Sequence, residues 1–156
     1  MKFKDTEYGD LTGQYFKGDL YVSDMGLTSL EGAPKTVTGI FSCKNNNLTS
    51  LKHCPSMIGG NFDCSNNQLT TLEGAPRSVG TFFNCSNNQL VSLKGISLTV
   101  RSKFDFSNNP NKHLDEELKV RKRNQKLSDD EIKEKMMKKG YVEHYASEEV
   151  KDMFMF

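Results

Sequence analysis

Three cysteines, Cys43, Cys64 and Cys85, stand 21 residues apart. A column of thiols at fixed spacing invites a metal or disulfide reading, since thiolates are soft ligands and neighbouring thiols oxidise to a bridge. The same column holds Val22 and Phe106 in the flanking units, and neither can ligate. Free cysteine is a small and commonly buried residue, so these thiols read as reduced packing residues. Cys54 replaces Ala33 and Ala75 at its own position, which again reads as packing. No CxxC pair occurs, and His53, His113 and His144 have no ligand spacing, so no metal and no cofactor is expected. Nothing in the sequence sets a nucleophile, a base and an oxyanion donor at recognisable spacing, and the glycines mark repeat turns rather than a phosphate loop. The expectation is a protein that is not an enzyme.

The elements that place the cysteines are repeats. A shift of 21 residues aligns Leu20, Phe41, Phe62, Phe83 and Phe104, then Leu27, Leu48, Leu69 and Leu90, then Leu30, Leu51, Leu72 and Leu93. Pro34, Pro55 and Pro76 follow, with Val37, Ile58, Val79 and Val100 behind them. Self-similarity at such a period marks a solenoid, whose units bury their apolar side only against one another. The segment Phe62-Asp63-Cys64 alternates as a strand with one buried face. "SNNQL" turns the chain, and Gly74 with Pro76 keeps the return path from becoming helical. Each coil is thus predicted to hold one strand, in a parallel sheet with ~4.8 Å between neighbours.

"FSCKNNNL", "FDCSNNQL" and "FNCSNNQL" resemble the LxLxxNxL core of leucine-rich repeats, and "FDFSNNPN" is a decayed copy. The short period and the return "LTSLEGAP" look like the short repeats of bacterial effector proteins and of small proteins of large DNA phages. The resemblance covers roughly residues 18 to 110. It implies an α/β solenoid, right-handed, with few or no helices in the repeats, and makes Asn46, Asn67, Asn88 and Asn109 the ladder asparagines whose amides satisfy backbone groups between coils. Met25 in the first unit and Asn111 in the fifth depart from the pattern, as terminal capping units do. The organisation expected is an N-terminal cap over 1–18, a solenoid of about five 21-residue units over 19–110, and a charged helical extension over 111–156.

Without catalytic machinery, the function expected is binding through a surface. The outward residues of the predicted strands are mostly small and polar, and Tyr21, Ile40 and Phe82 stand out among them as interface anchors. Asp63, Lys103 and Asp105 share that face, and the predicted contact set adds Met153, Phe154 and Phe156 from the end of the sequence. Five strands of five residues give a face ~19 Å by ~17 Å, on the order of 300 Å² in projection. Standard interfaces need ~800 Å² per partner, so the face alone should bind weakly.

After Pro110 charge density rises. Pro110 fits a first-turn position of a helix with Asp115, Glu116 and Glu117 early and Lys119, Arg121, Lys122 and Arg123 late, the order a helix dipole favours. Ser128 with Glu131 forms a capping box for a second helix that Gly140 ends, and Ser147 starts a third. The basic run 119–126 reads as a solvated face, with nucleic-acid contact by Lys119, Arg121, Lys122 and Arg123 as the alternative. The terminal Met153, Phe154, Met155 and Phe156 must bury themselves, on the last coil, on a partner or on a second copy. The preferred arrangement has the first helix capping the solenoid and the rest meeting a partner.

The formal net charge of +1 gives no global field to gather nucleic acid or acidic lipid. The N-terminus lacks an apolar leader and no run approaches the ~18 apolar residues of a spanning helix, so the chain is expected to be soluble and cytoplasmic, with no membrane partner. The sequence thus points to a non-catalytic protein-binding module. The resemblance adds a phage or bacterial setting, in which it would bind and modulate or inhibit a host protein from the host cytoplasm. A nucleic-acid-binding regulator and a homo-oligomer formed through the extension are the alternatives.

Overall fold

A computed structural model of the chain describes residues 1–97, 103–123, 125–141 and 145. In chain order it contains β1 (Tyr15–Phe16), β2 (Leu20–Tyr21), β3 (Thr36–Val37), β4 (Phe41–Ser42), β5 (Met57–Ile58), β6 (Phe62–Asp63), β7 (Ser78–Val79), β8 (Phe82–Asn84), β9 (Lys103–Asp105), α1 (Leu114–Arg123) and α2 (Asp129–Lys138). The strands form two parallel sheets, β1-β3-β5-β7 and β2-β4-β6-β8-β9. The fold is a parallel β-solenoid of about four turns with two helices near the C-terminus.

Each coil therefore carries two strands, not the one predicted. The column Val37, Ile58 and Val79, read from sequence as a return path, is the buried side of the second sheet. The strands are also two or three residues long instead of five, because the coil bends sharply between them. One such corner is built on Gly59, where a Cβ would collide with the Thr38 carbonyl of the previous coil. β1 lies within the expected N-terminal cap, and its pairing with β3 makes it part of the second sheet.

The register is constant: Leu20 pairs with Phe41, Phe41 with Phe62, Phe62 with Phe83 and Phe83 with Phe104. The rings pack along this spine, with centroids 5.9 Å apart for Phe41 and Phe62 and 4.9 Å apart for Phe62 and Phe83. The leucine columns close the same core. Phe3 covers the first coil from the N-terminal side, its amide donating to Ser29 O at 3.0 Å.

At the other end Leu114 belongs to the solenoid core and Leu118 packs against it, so α1 covers the last coil. Its first turn is acidic and its last basic, as predicted, but it starts at Leu114, leaving Pro110 exposed in the loop before it. α2 opens on the predicted Ser128–Glu131 capping box. It ends in a Schellman motif: Gly140 has φ +97°, its amide donates to Met137 O and that of Tyr141 donates to Met136 O. The helices join through Val120, Ile132, Met136 and Tyr145. The third helix start at Ser147, and Met153, Phe154, Met155 and Phe156, lie outside the described residues.

Candidate functional site

The turn after each first-sheet strand is built on paired asparagines. The first of each pair takes the left-handed backbone, at φ 55° for Asn45, 54° for Asn66 and Asn87 and 55° for Asn108, with Asp24 doing the same at 59°. Asn and Asp tolerate this region better than other side chains. The second is buried and stitches coils together. Asn67 Oδ1 accepts from Leu48 N at 2.9 Å, and its Nδ2 donates to Cys43 O and Cys64 O at 3.1 Å each. Asn46, Asn88 and Asn109 repeat the pattern. One side chain thus satisfies backbone groups of two coils that burial would otherwise leave unpaired.

On the first sheet, Tyr21, Ser42, Asp63, Asn84 and Asp105 form one outward row in register. Tyr21 is half exposed at the N-terminal edge, and Tyr8 donates its hydroxyl to the Tyr21 carbonyl at 3.4 Å. Asp63 Oδ1 accepts from Ser65 N and Oγ at 3.0 and 2.6 Å, and Asp105 does the same with Ser107 at 2.9 and 2.6 Å. These two carboxylates, predicted as partner contacts, thus hold the turns of their own coils. Ser65 and Ser86 are buried for the same reason, since their hydroxyls fold back on Asp63 and Asn84. Ser42 is buried too, with Oγ 2.9 Å from Ser23 Oγ. Ile40 and Phe82 share a second row but are partly buried and separated by Asn61, while Lys103 is exposed beside Phe82.

The second sheet, missed in the sequence reading, presents larger apolar side chains. Its outward row is Tyr15, Thr36, Met57 and Ser78, held in register by consecutive pairings. Tyr15 is 71% exposed and Met57 53%. They flank a groove of about 260 Å³ floored by Val37 and Ile58. Residues 14–18, 35–39, 56–60 and 77–80 contain Lys17, Lys35 and Arg77 and no Asp or Glu. The face is apolar at its centre and cationic at its rim. The signal in the sequence was the pair of dipeptides Tyr15-Phe16 and Met57-Ile58, too short for an alternation to register.

The third side of the coil carries an alternating charge row, Glu31, Lys52, Glu73 and Lys94, which also went unread. Lys2 and Lys4 pair with Glu31 at 2.8 Å each, and Lys94 with Glu73 at 3.0 Å. The Glu31 carboxyl is drawn down to about 2 by the hydrogen bonds from Lys2 and then Lys4.

At the helical end the predicted basic set divides. Arg121 is only 8% exposed and faces inward, its guanidinium 2.9 Å from both Glu117 Oε1 and Asp129 Oδ1. Lys119 is exposed and pairs with Glu116 at 3.1 Å. The Lys122 ammonium stands 5.9 Å over the Phe104 ring, tying the helix to the last coil. Arg123 is exposed. Glu117 is fully buried, and its Oε1 also accepts from Ser92 Oγ and Leu93 N at 2.9 Å, while Tyr145 donates to its Oε2 at 2.7 Å. Asn111, a predicted capping departure, donates to Val91 O at 2.8 Å and Tyr145 Oη at 2.7 Å.

Cys43, Cys64 and Cys85 are buried in the core column and unbridged, and burial pushes their thiols well up from the ordinary range. Among the described residues no cluster of His, Cys, Asp or Glu is arranged to hold a metal ion, and no helix is long and apolar enough to cross a membrane. Comparison with protein-family models, with curated proteins and with solved structures finds no match for this chain.

Proposed function

We propose that the chain is a non-catalytic protein-binding module of the leucine-rich-repeat type, and that its partner offers a short segment bearing apolar side chains and carboxylates. The observation that carries this reading is the exposed pair Tyr15 and Met57 in one outward row, rimmed by Lys17, Lys35 and Arg77. Exposed aromatic and methionine side chains that flank a preformed groove are the composition of interface centres, and an acid-free rim favours a carboxylate-bearing partner. The resemblance to effector and phage repeats makes that partner a host protein, modulated or inhibited by occlusion in the host cytoplasm.

Four strands span three gaps of ~4.8 Å and are each ~7 Å tall, giving a face on the order of 100 Å². This is far below the ~800 Å² of a standard interface, so the contact is to a peptide or protrusion, supplemented by Tyr21, Ile40, Phe82 and Lys103 only if the partner wraps the coil. A photo-crosslinker placed at residue 57 tests the reading. Adducts should form from that position, be lost with Tyr15→Ala and be weaker from position 66 on the opposite turn. Equal adducts from both positions would sink it.

A further inference from the structure

α1 and α2 together build a cationic groove that goes beyond the protein-binding reading. It measures about 420 Å³ and is lined by Val120, Arg123, Lys135, Lys138 and Lys139. That volume lies within the roughly 300–1,000 Å³ of small-ligand sites. Arg123 comes from the last turn of α1, Lys135 and Lys138 from the last turn of α2, and Lys139 caps α2. Lys122 and Lys126 lie on an adjoining surface that shares Arg123, extending the positive field along the interhelical loop.

Cations at a helix C-terminus are ordinarily explained by the dipole of that helix. Here each dipole accounts for the cations at the end of its own helix, Arg123 for α1 and Lys138 and Lys139 for α2, but not for their meeting in one groove. The convergence is visible at Glu116, whose carboxyl is lowered first by the Lys119 hydrogen bond and further by Lys139 and Arg123 together. Two carboxylates temper the groove, and each has a partner: Glu116 with Lys119 at 3.1 Å and Glu134 with Lys138 at 3.1 Å. Among the described residues no aromatic side chain lines it, so stacking on bases has no platform there, and a nucleic acid would be held by its phosphates alone.

We infer that the groove between α1 and α2 is a binding site for phosphate-rich anions, with Arg123, Lys135, Lys138 and Lys139 as the phosphate contacts. The chemistry is common to a free polyphosphate and to the backbone of a single-stranded nucleic acid, and it is read without regard to base. The site is separate from the second-sheet face.

The test titrates the full chain at low salt with inorganic tripolyphosphate and, separately, with a short oligothymidylate. The variant Lys135→Glu/Lys139→Glu alters two exposed positions outside the core. It should weaken the probes that bind by at least about tenfold. Lys17→Glu/Lys35→Glu on the second sheet should change nothing. For the oligonucleotide, four engaged cations predict a log–log salt slope of about −3, reduced by about 1.4 in the helix variant. Binding of both probes supports the site with backbone phosphate as a source, and binding of tripolyphosphate alone supports it with free polyphosphate as the source. Binding of neither, or loss of binding with Lys17→Glu/Lys35→Glu instead, overturns it. Should the charge-reversed helix variant unfold by circular dichroism, Lys135→Gln/Lys139→Gln carries the same comparison.

Discussion

The guanidinium of Arg121 lies 2.9 Å from Glu117 Oε1, one helical turn away, with the glutamate wholly buried and the arginine nearly so. The same carboxylate receives Ser92, the Leu93 amide and Tyr145, so it joins α1 to the last coil and to Tyr145. Removing the Glu117 carboxylate would leave Arg121 with Asp129 alone and take the acceptor from the Ser92 hydroxyl, the Leu93 amide and the Tyr145 hydroxyl, at roughly 1–3 kcal/mol for each buried donor left unpaired. Glu117→Ala should therefore detach the helices from the solenoid. Amide exchange should rise in α1 and α2 while first-sheet amides near Phe41 and Phe62 stay protected. Uniform loss of protection would show instead that the helices and coils unfold as one unit.

Neighbouring asparagines should respond differently to substitution. Asn67→Ala would orphan the buried Leu48 N–H and take one of two donors each from Cys43 O, which keeps Asn46, and Cys64 O, which keeps Asn88, costing about 1–3 kcal/mol for the unpaired group. Asn66 adopts φ 54° and makes one exposed side-chain hydrogen bond, its Nδ2 donating to Asn45 Oδ1 at 2.7 Å, so Asn66→Gly should cost little and Asn66→Ala about 1 kcal/mol. Chemical denaturation of the three variants checks the order. Equal effects at both positions would remove the distinction between turn and ladder.

Glu31 gives stability a pH dependence of known sign. Its carboxyl is lowered in the folded state to about 2 from an ordinary 4.5, chiefly by Lys2 and then Lys4. A depressed carboxylate contributes fully above its unfolded value, and that contribution is lost as pH falls from 4.5 toward 2. The pair is exposed, so the effect is small and screened by salt. Thermal melts of Glu31→Gln should converge on those of the parent chain as pH drops through this window. A difference that widens on acidification would reverse the assignment.

Burial raises the thiols of Cys43, Cys64 and Cys85, and thiolate is the reactive form. In the native chain these three should resist an aromatic disulfide reagent and react at rates set by opening of the coils. Rapid labelling of Cys64 without denaturant would contradict the packed column.

What the sequence made legible is what repeats with a chemical reason attached. The Phe, Leu and Asn67-type columns each have one role in the coils that carry them, and they lie in register in the fold. The second sheet escaped because Val37, Ile58 and Val79 belong to two-residue strands, too brief for a period of two to show against the turns around them. The exposed Tyr15 and Met57 were missed with it. Asp63 and Asp105 were read as solvent-facing contacts because local hydrogen bonding to a serine two residues on is invisible to strand alternation. Arg121 looked like one member of a basic run, and only the packing of α1 on the last coil separates it from Lys122 and Arg123. Such long-range pairings, as between Glu117 and Ser92, leave no periodic trace.

A coil of 21 residues sets both sheets at once. Deleting residues 60–80 removes one whole coil, whereas deleting 60–79 removes one residue fewer and puts every later side chain out of register. The 21-residue deletion brings Lys52 beside Lys94, an exposed like-charge contact costing about 0.5 kcal/mol or less. By circular dichroism and thermal unfolding, the 60–80 deletion should remain a cooperative sheet protein with docked helices, and the 60–79 deletion should not fold. Equal behaviour of the two, whether both folded or both unfolded, would contradict the stacked-coil architecture on which the proposed binding surfaces depend.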